Sequence, residues 1–165
     1  MACSPQRVGV FVDAQNLYHS AKSIYDPDAM VDYRALLELA VAGRSLIRAI
    51  AYVIAIEGVD QSGFFDVLRR LGFEIRAKPA RLLPDGSRKA DWDMGIAMDT
   101  IALAEKLDVI VLVSGDGDFV DLVRFLQARG VRVEVMAFRA TTAAMLKEAA
   151  DQYQALDDTI IHMRR

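Results

Sequence analysis

Two carboxylates, Asp116 and Asp118, stand two residues apart among glycines in SGDGDF, directly behind the apolar run DVIVLV. A second apolar run, VGVFV, closes on Asp13, with Asn16 three residues on in VDAQNLY. A third group, Asp91, Asp93 and Asp99, lies in KADWDMGIAMD. Carboxylates gathered at one point repel, and some take up protons unless a cation binds among them. Donors that are all hard oxygens favour Mg2+ or Mn2+ over zinc. The chemistry such a site suits is metal-assisted phosphodiester hydrolysis, in which bound ions activate water and stabilise the leaving oxygen. Neither a serine nor a histidine nucleophile is required.

The elements that must hold these groups read as a parallel sheet. Residues 8–13, 47–57, 109–114 and 131–138 form short β-branched runs, mostly buried on both faces as strands. Helical periods fill the intervals at 33–41, 62–71, 91–105, 119–129 and 141–151, and Gly72 and Gly130 close two of them. Strand and helix in alternation give an α/β three-layer sandwich with a mainly parallel central sheet. The segment FEIRAKPARLLPDGSRK interrupts the rhythm, with residues 73–77 as one more strand and a turn at Pro84-Asp85-Gly86 in an exposed basic loop. In an open parallel sheet the ligand site lies beyond the carboxyl ends of the strands. Asp13 and the Ser114, Asp116, Asp118 group therefore fall on the same edge. On a helix, Asp93 and Asp99 lie about 120° apart in projection and do not serve one point. Asp93, in the first turn, joins the cluster, and Asp99 has a supporting or structural part.

Cleavage of a nucleic acid also needs cations on the phosphates, and Arg76, Lys78, Arg81, Arg88 and Lys89 are concentrated just before Asp91. That local patch matters because the chain as a whole, 165 residues with a formal charge of −3, has no global basic field. At 53% hydrophobic it has enough apolar content for a substantial core in a single domain of residues 1–165. The one cysteine, Cys3, excludes an internal disulfide and a cysteine zinc cluster, and the two histidines, His19 and His162, add little. The longest apolar run, IAYVIAI, is far short of the roughly 20 residues that span a bilayer. MACSPQR lacks the apolar stretch of a signal peptide. A soluble, cytoplasmic protein with no membrane partner is expected.

FVDAQNLY, KADWDMGIAMD, LVSGDGDFVDLVRFLQARGVRVEV and LKEAADQYQAL together resemble the NYN domain family in its LabA-like (DUF88) branch, a group with the PIN-like nuclease fold. The resemblance covers about residues 8–157. It implies a Mg2+- or Mn2+-dependent ribonuclease with RNA as substrate. Carried over, the acid after the first strand is Asp13, with Asn16 beside it. The helix acid is Asp93, followed by Asp99, and the loop block supplies Ser114, Asp116 and Asp118. The further acid that PIN-like nucleases often carry on an early helix falls on Glu38 or Asp32. The site expected from residues and resemblance together has Asp13, Asp93 and Asp116 as ion ligands, with Asp118 and Asn16 assisting.

Each residue also has a purely structural reading. Asp13, Asn16 and Asp118 stand where a helix N-cap would, and Asp91 and Asp93 where an acid complements a helix dipole. The basic residues from Arg76 to Lys89 would serve as a solvated hairpin, and Trp92 as core. A haloacid-dehalogenase-type phosphohydrolase would place a second Asp where Gln15 stands, and a dinucleotide site would need G-x-G-x-x-G where DAQN stands. The remaining alternative is a PIN-like regulatory module, catalytically weak or inactive, that binds RNA or a protein partner. The C-terminal stretch AAMLKEAADQYQALDDTIIHM reads as an apolar helix whose Met145, Leu146, Leu156 and Ile160 pack on the sheet or supply a homodimer face.

Overall fold

A computed structural model of the protein describes residues 4–164, so Cys3 lies outside the described residues. The chain opens with β1 (Arg7–Asp13) and α1 (Ala14–Ile24). There follow β2 (Ala29–Val31), α2 (Tyr33–Val41), β3 (Ser45–Ala55) and α3 (Ser62–Leu71). Next come β4 (Glu74–Pro79), the short strands β5 (Arg81–Leu82) and β6 (Arg88–Lys89), and α4 (Asp93–Leu103). The last third holds β7 (Val109–Val113), α5 (Val120–Ala128), β8 (Arg132–Phe138), α6 (Ala144–Ala149), β9 (Gln152–Leu156) and β10 (Ile161–Met163).

Six strands form the central sheet in the order β4-β3-β1-β7-β8-β9, every neighbouring pair parallel. From β1 the chain winds outward through β3 and β4, then returns to the other side of β1 with β7, β8 and β9. The strand order thus reverses between β1 and β7, the position at which open parallel sheets bind ligands. Alternate side chains show why the strand sequences are apolar throughout. Val8, Val10 and Val12 of β1, with Val109, Val111 and Val113 of β7, pack under α1, α2 and α3 through Leu17, Leu36 and Leu68. Phe11, Ile110 and Leu112 face the opposite side and pack under α4, α5 and α6 through Ile96, Val123, Leu126 and Leu146. Each such aliphatic side chain contributes roughly 1.5–3 kcal/mol relative to leaving it exposed. The result is the expected α/β three-layer sandwich.

Gly72 and Gly130 close α3 and α5 with φ of 102° and 86°, the left-handed backbone common after a helix. The Pro84-Asp85-Gly86 turn joins β5 to β6 as an antiparallel hairpin outside the main sheet. The expectation for the C-terminus needs correction. α-Helix occupies only Ala144–Ala149 there; QYQAL is the edge strand β9, paired with β8, Asp158–Ile160 form a 3-10 turn, and β10 pairs with β2 in a two-stranded sheet. The apolar spacing that mimics a helix arises because Leu146, Leu156 and Ile160 are all buried, each from a different element. Only Met145 of the four faces solvent, so the segment offers no continuous helical face for a dimer.

Candidate carboxylate site

Backbone geometry brings the two acidic strand ends together. Asp13 ends β1 and caps α1: its Oδ1 accepts the Asn16 backbone N–H at 3.2 Å. Its Oδ2 accepts the hydroxyl of Ser114, at the end of β7, also at 3.2 Å. Asn16 returns the link, its Oδ1 accepting the Gly115 backbone N–H at 3.1 Å. Ser114 Oγ accepts from the Asp116 backbone N–H at 3.3 Å, and Asp116 Oδ1 accepts that of Asp118 at 2.9 Å. Asn16 is therefore the third residue of α1 rather than its cap, and Asp116, not Asp118, caps the turn at residues 117–119. Asp13 and Asp116 both cap and present carboxylates, so the structural and chemical readings coexist.

Gly115 is required by packing. A Cβ there would lie 2.4 Å from the Thr141 carbonyl oxygen, and the Ala143 backbone N–H donates to Gly115 O at 3.0 Å. The loop after β8 thus lies directly against the SGDGDF loop.

Asp93 arrives from the opposite side, on the first turn of α4. Trp92 pins that helix start to the sheet, its Nε1–H donating to the Val53 carbonyl of β3 at 2.9 Å. A Cβ on Gly95 would come within 2.5 Å of the Trp92 ring, so glycine at this position lets the indole lie against the helix. Asp91 Oδ1 accepts the Asp93 backbone N–H at 3.2 Å. Asp93, Asp116 and Asp118 each place a carboxylate oxygen so that the three atoms lie within 4.8 Å of one another. Asp13, 8% exposed, lies deeper in the same cleft, which has a volume of about 500 Å3 and is also lined by Asp91 and His19.

The charges repel as such a gathering must. Burial, then the neighbouring Asp116, Asp91, Asp13 and Asp118, push the Asp93 carboxyl up to about 6. Burial, opposed by the Asn16 and Ser114 hydrogen bonds, raises Asp13 as well. Among the described residues, no Lys, Arg or His lies within 4.0 Å of any of these carboxylates. The donor set is hard oxygen throughout and carries excess negative charge, which fits a divalent Mg2+ or Mn2+ ion held by Asp93, Asp116 and Asp118.

Other nominated residues go elsewhere. Asp99 accepts from the Tyr52 hydroxyl at 2.8 Å and pairs with Arg76 at 2.8 Å, tying α4 to β3 and β4 away from the cluster. Arg88 pairs with Glu57 at 2.6 Å, and Lys78 Nζ lies 4.2 Å over the Trp92 ring. Arg81 and Lys89 are exposed and make no ion pair among the described residues. Trp92 itself is half-buried against Tyr52. Asp32 caps α2, accepting from Arg34 N and Ala35 N, and Glu38 is exposed on the same helix; neither lines the cleft. The additional acid there is Asp91, whose signal was its place two residues before Asp93.

The NYN domain family matches residues 7–157. The chain belongs to that family. As an NYN-domain protein it is 31% identical to the low amplitude and bright protein LabA of Synechococcus elongatus, over 96% of this chain and 88% of LabA. Among solved structures, a protein of unknown function from Vibrio parahaemolyticus aligns with a TM-score of 0.89 and 35% identity, covering 98% of this chain and 99% of that one. The MAR1 ribonuclease of Caenorhabditis elegans aligns at a TM-score of 0.47 and 16% identity, too distant to inform the site.

Proposed function

We propose that this NYN-domain protein is a metal-dependent ribonuclease that hydrolyses RNA phosphodiester bonds at the carboxylate edge of its sheet. The carrying observation is the convergence of Asp93, Asp116 and Asp118 oxygens within 4.8 Å of one another, with no Lys, Arg or His within 4.0 Å of them among the described residues. Membership of a family with a PIN-like nuclease fold supports the same reading. Mg2+ or Mn2+, when bound, supplies charge stabilisation at the phosphate and a water of lowered pKa. Asp93, Asp116 and Asp118 hold the ion. Asp13 fixes the loop that presents Asp116 and Asp118, through Ser114 and the Asn16 turn, and adds its own carboxyl group to the cleft. Ser114, fully buried, ties the end of β7 to Asp13 at the end of β1 with one hydrogen bond and accepts the Asp116 backbone N–H with another. The proposed setting is the cytoplasm; among the described residues no helix is long and apolar enough to cross a membrane.

A second reading, a PIN-like module that binds RNA or a protein without cutting it, draws on one observation. Of the five cations nominated for phosphate contact, Arg76 and Arg88 are engaged in ion pairs and Lys78 lies on Trp92. The test is end-labelled single-stranded and hairpin RNA incubated with the parent and with Asp116→Asn in Mn2+, Mg2+ or EDTA. Cleavage only with metal and only in the parent is expected. RNA bound by the parent but left intact in both metals favours the second reading.

A further inference from the structure

The cleft is lined by the carboxylates of Asp13, Asp91, Asp93 and Asp116 and, among the described residues, by no Lys or Arg, so an RNA strand reaching them must be gripped from outside. Resting on the ribonuclease reading, we propose that single-stranded RNA lies across the carboxyl ends of the sheet strands, anchored beyond β8 by the guanidinium of Arg139 on a backbone phosphate. The strand order supplies the geometry. β1 lies two strands from β4 on one side and two from β8 on the other, about 10 Å each way at the usual strand spacing. Beyond β4 stands the β5–β6 hairpin with Arg81 and Lys89 exposed, and the first residue beyond β8 is Arg139. The carboxylates occupy the middle of this span.

Arg139 suits the role in two respects. It is exposed and makes no ion pair among the described residues, unlike Arg76 and Arg88 on the hairpin side. Its loop is also held against the carboxylate loop rather than free. Thr142 Oγ1 donates to the Phe138 carbonyl at 2.7 Å, Thr142 N and Lys147 Nζ donate to the Arg139 carbonyl at 3.4 Å, and Ala143 N reaches Gly115 O. A guanidinium carried on a loop already ordered loses less entropy on binding and can meet a phosphate with two N–H groups. Between the anchors, the α1 wall of the cleft presents Gln15, Asn16, His19 and Ser23, hydrogen-bonding groups suited to ribose and base edges.

The test measures anisotropy of a fluorescein-labelled single-stranded RNA in EDTA across a salt series, with metal-dependent cleavage followed in parallel. The variants are Arg139→Ala, Arg139→Lys and, as a control of equal charge change on α3, Arg70→Ala. Arg139→Ala should weaken binding about five- to tenfold at low salt and reduce the salt slope by about one. Arg139→Lys should recover part of the loss, and Arg70→Ala should match the parent. Affinity unchanged in Arg139→Ala, or weakened equally in Arg70→Ala, overturns the anchor. If the parent still cleaves in Mn2+, the ribonuclease reading survives that loss. Binding that depends on Arg139 without any metal-dependent cleavage in the parent keeps the anchor and removes the ribonuclease. A parent that binds no RNA removes both.

Discussion

The two ends of the central sheet both carry acids and treat them in opposite ways. At the amino ends of the strands three acids each have an arginine, and a fourth, Asp151, accepts instead from the Val133 backbone N–H and the Gln127 amide. Asp108 pairs with Arg7, Glu74 with Arg48, and Glu134 with both Arg44 and Arg132, at 2.5–3.2 Å. The Arg7 hydrogen bonds hold Asp108 below the usual carboxylate range, and those from Arg44 do the same for Glu134. At the carboxyl ends Asp13 and Asp93 are raised, and no basic side chain within 4.0 Å answers them among the described residues. Burial alone does not separate the two ends, since Asp13 and Glu134 are each 8% exposed. The difference is in partners. Asp108, Glu74 and Glu134 are neutralised by arginines of the fold, whereas Asp13 and Asp93 have no such partner among the described residues.

The sharpest way to break this contrast is activity. Asp93→Asn should lower metal-dependent RNA cleavage by on the order of a hundredfold or more, whereas Glu134→Gln, at the other end, should leave the rate of the folded protein within about threefold. Equal losses in both variants would mean that the carboxyl edge is not special.

Stability should reverse the ranking. Glu134→Ala strands two guanidinium groups and should cost about 3 kcal/mol in denaturant unfolding. Asp93→Asn relieves repulsion and should leave the metal-free protein as stable as the parent or more so. A large loss in Asp93→Asn would make the cluster a structural device.

The two ends should also impose opposite pH slopes. Asp93 binds its proton more tightly folded than unfolded, so its contribution to stability falls as pH rises from 3.8 through about 6. Asp108 and Glu134, held low, contribute stability above the ordinary carboxylate range that is lost as pH falls through their depressed values. Thermal melts in EDTA should show that Asp93→Asn removes a decline in Tm between pH 3.8 and about 6. Curves of identical shape would contradict the raised carboxyl. The smallest effect is expected at Arg7→Ala, which breaks a solvent-exposed pair and should barely move Tm; a shift comparable to that of Glu134→Ala would contradict this.

Most of the scaffold is legible in the sequence because buried parallel strands are apolar on both faces. VGVFVD and VIVLV need no partner to be recognised, and α2 and α3 fall at residues 33–41 and 62–71, as their periodicity predicts. The edge strand β9 is not legible in that way. QYQAL becomes a strand only through its pairing with β8, and its apolar residues continue the spacing of α6 by coincidence. The convergence of Asp13 with the SGDGDF loop follows from parallel strands ending at one edge. Side-chain partnership across distant elements does not. Nothing local in KADWDMGIAMD announces that Asp99 bonds Tyr52 and Arg76, or that Asp93 shares a three-carboxylate group with Asp116 and Asp118. Arg139 escapes notice in the sequence because it lies outside the cluster of basic residues and owes its position to a loop packed on Gly115.

The most direct measurement is calorimetric titration of Mn2+ into the metal-free parent and into Asp93→Asn at pH 7.5, above the raised Asp93 value, with Arg7→Ala as the control from the opposite end. Saturable binding in the parent and in Arg7→Ala, lost or weakened at least tenfold in Asp93→Asn, is the predicted result. A parent that takes up no ion, or an Asp93→Asn protein that binds it as tightly, would show that the unpaired carboxylates at the sheet edge are not a metal site.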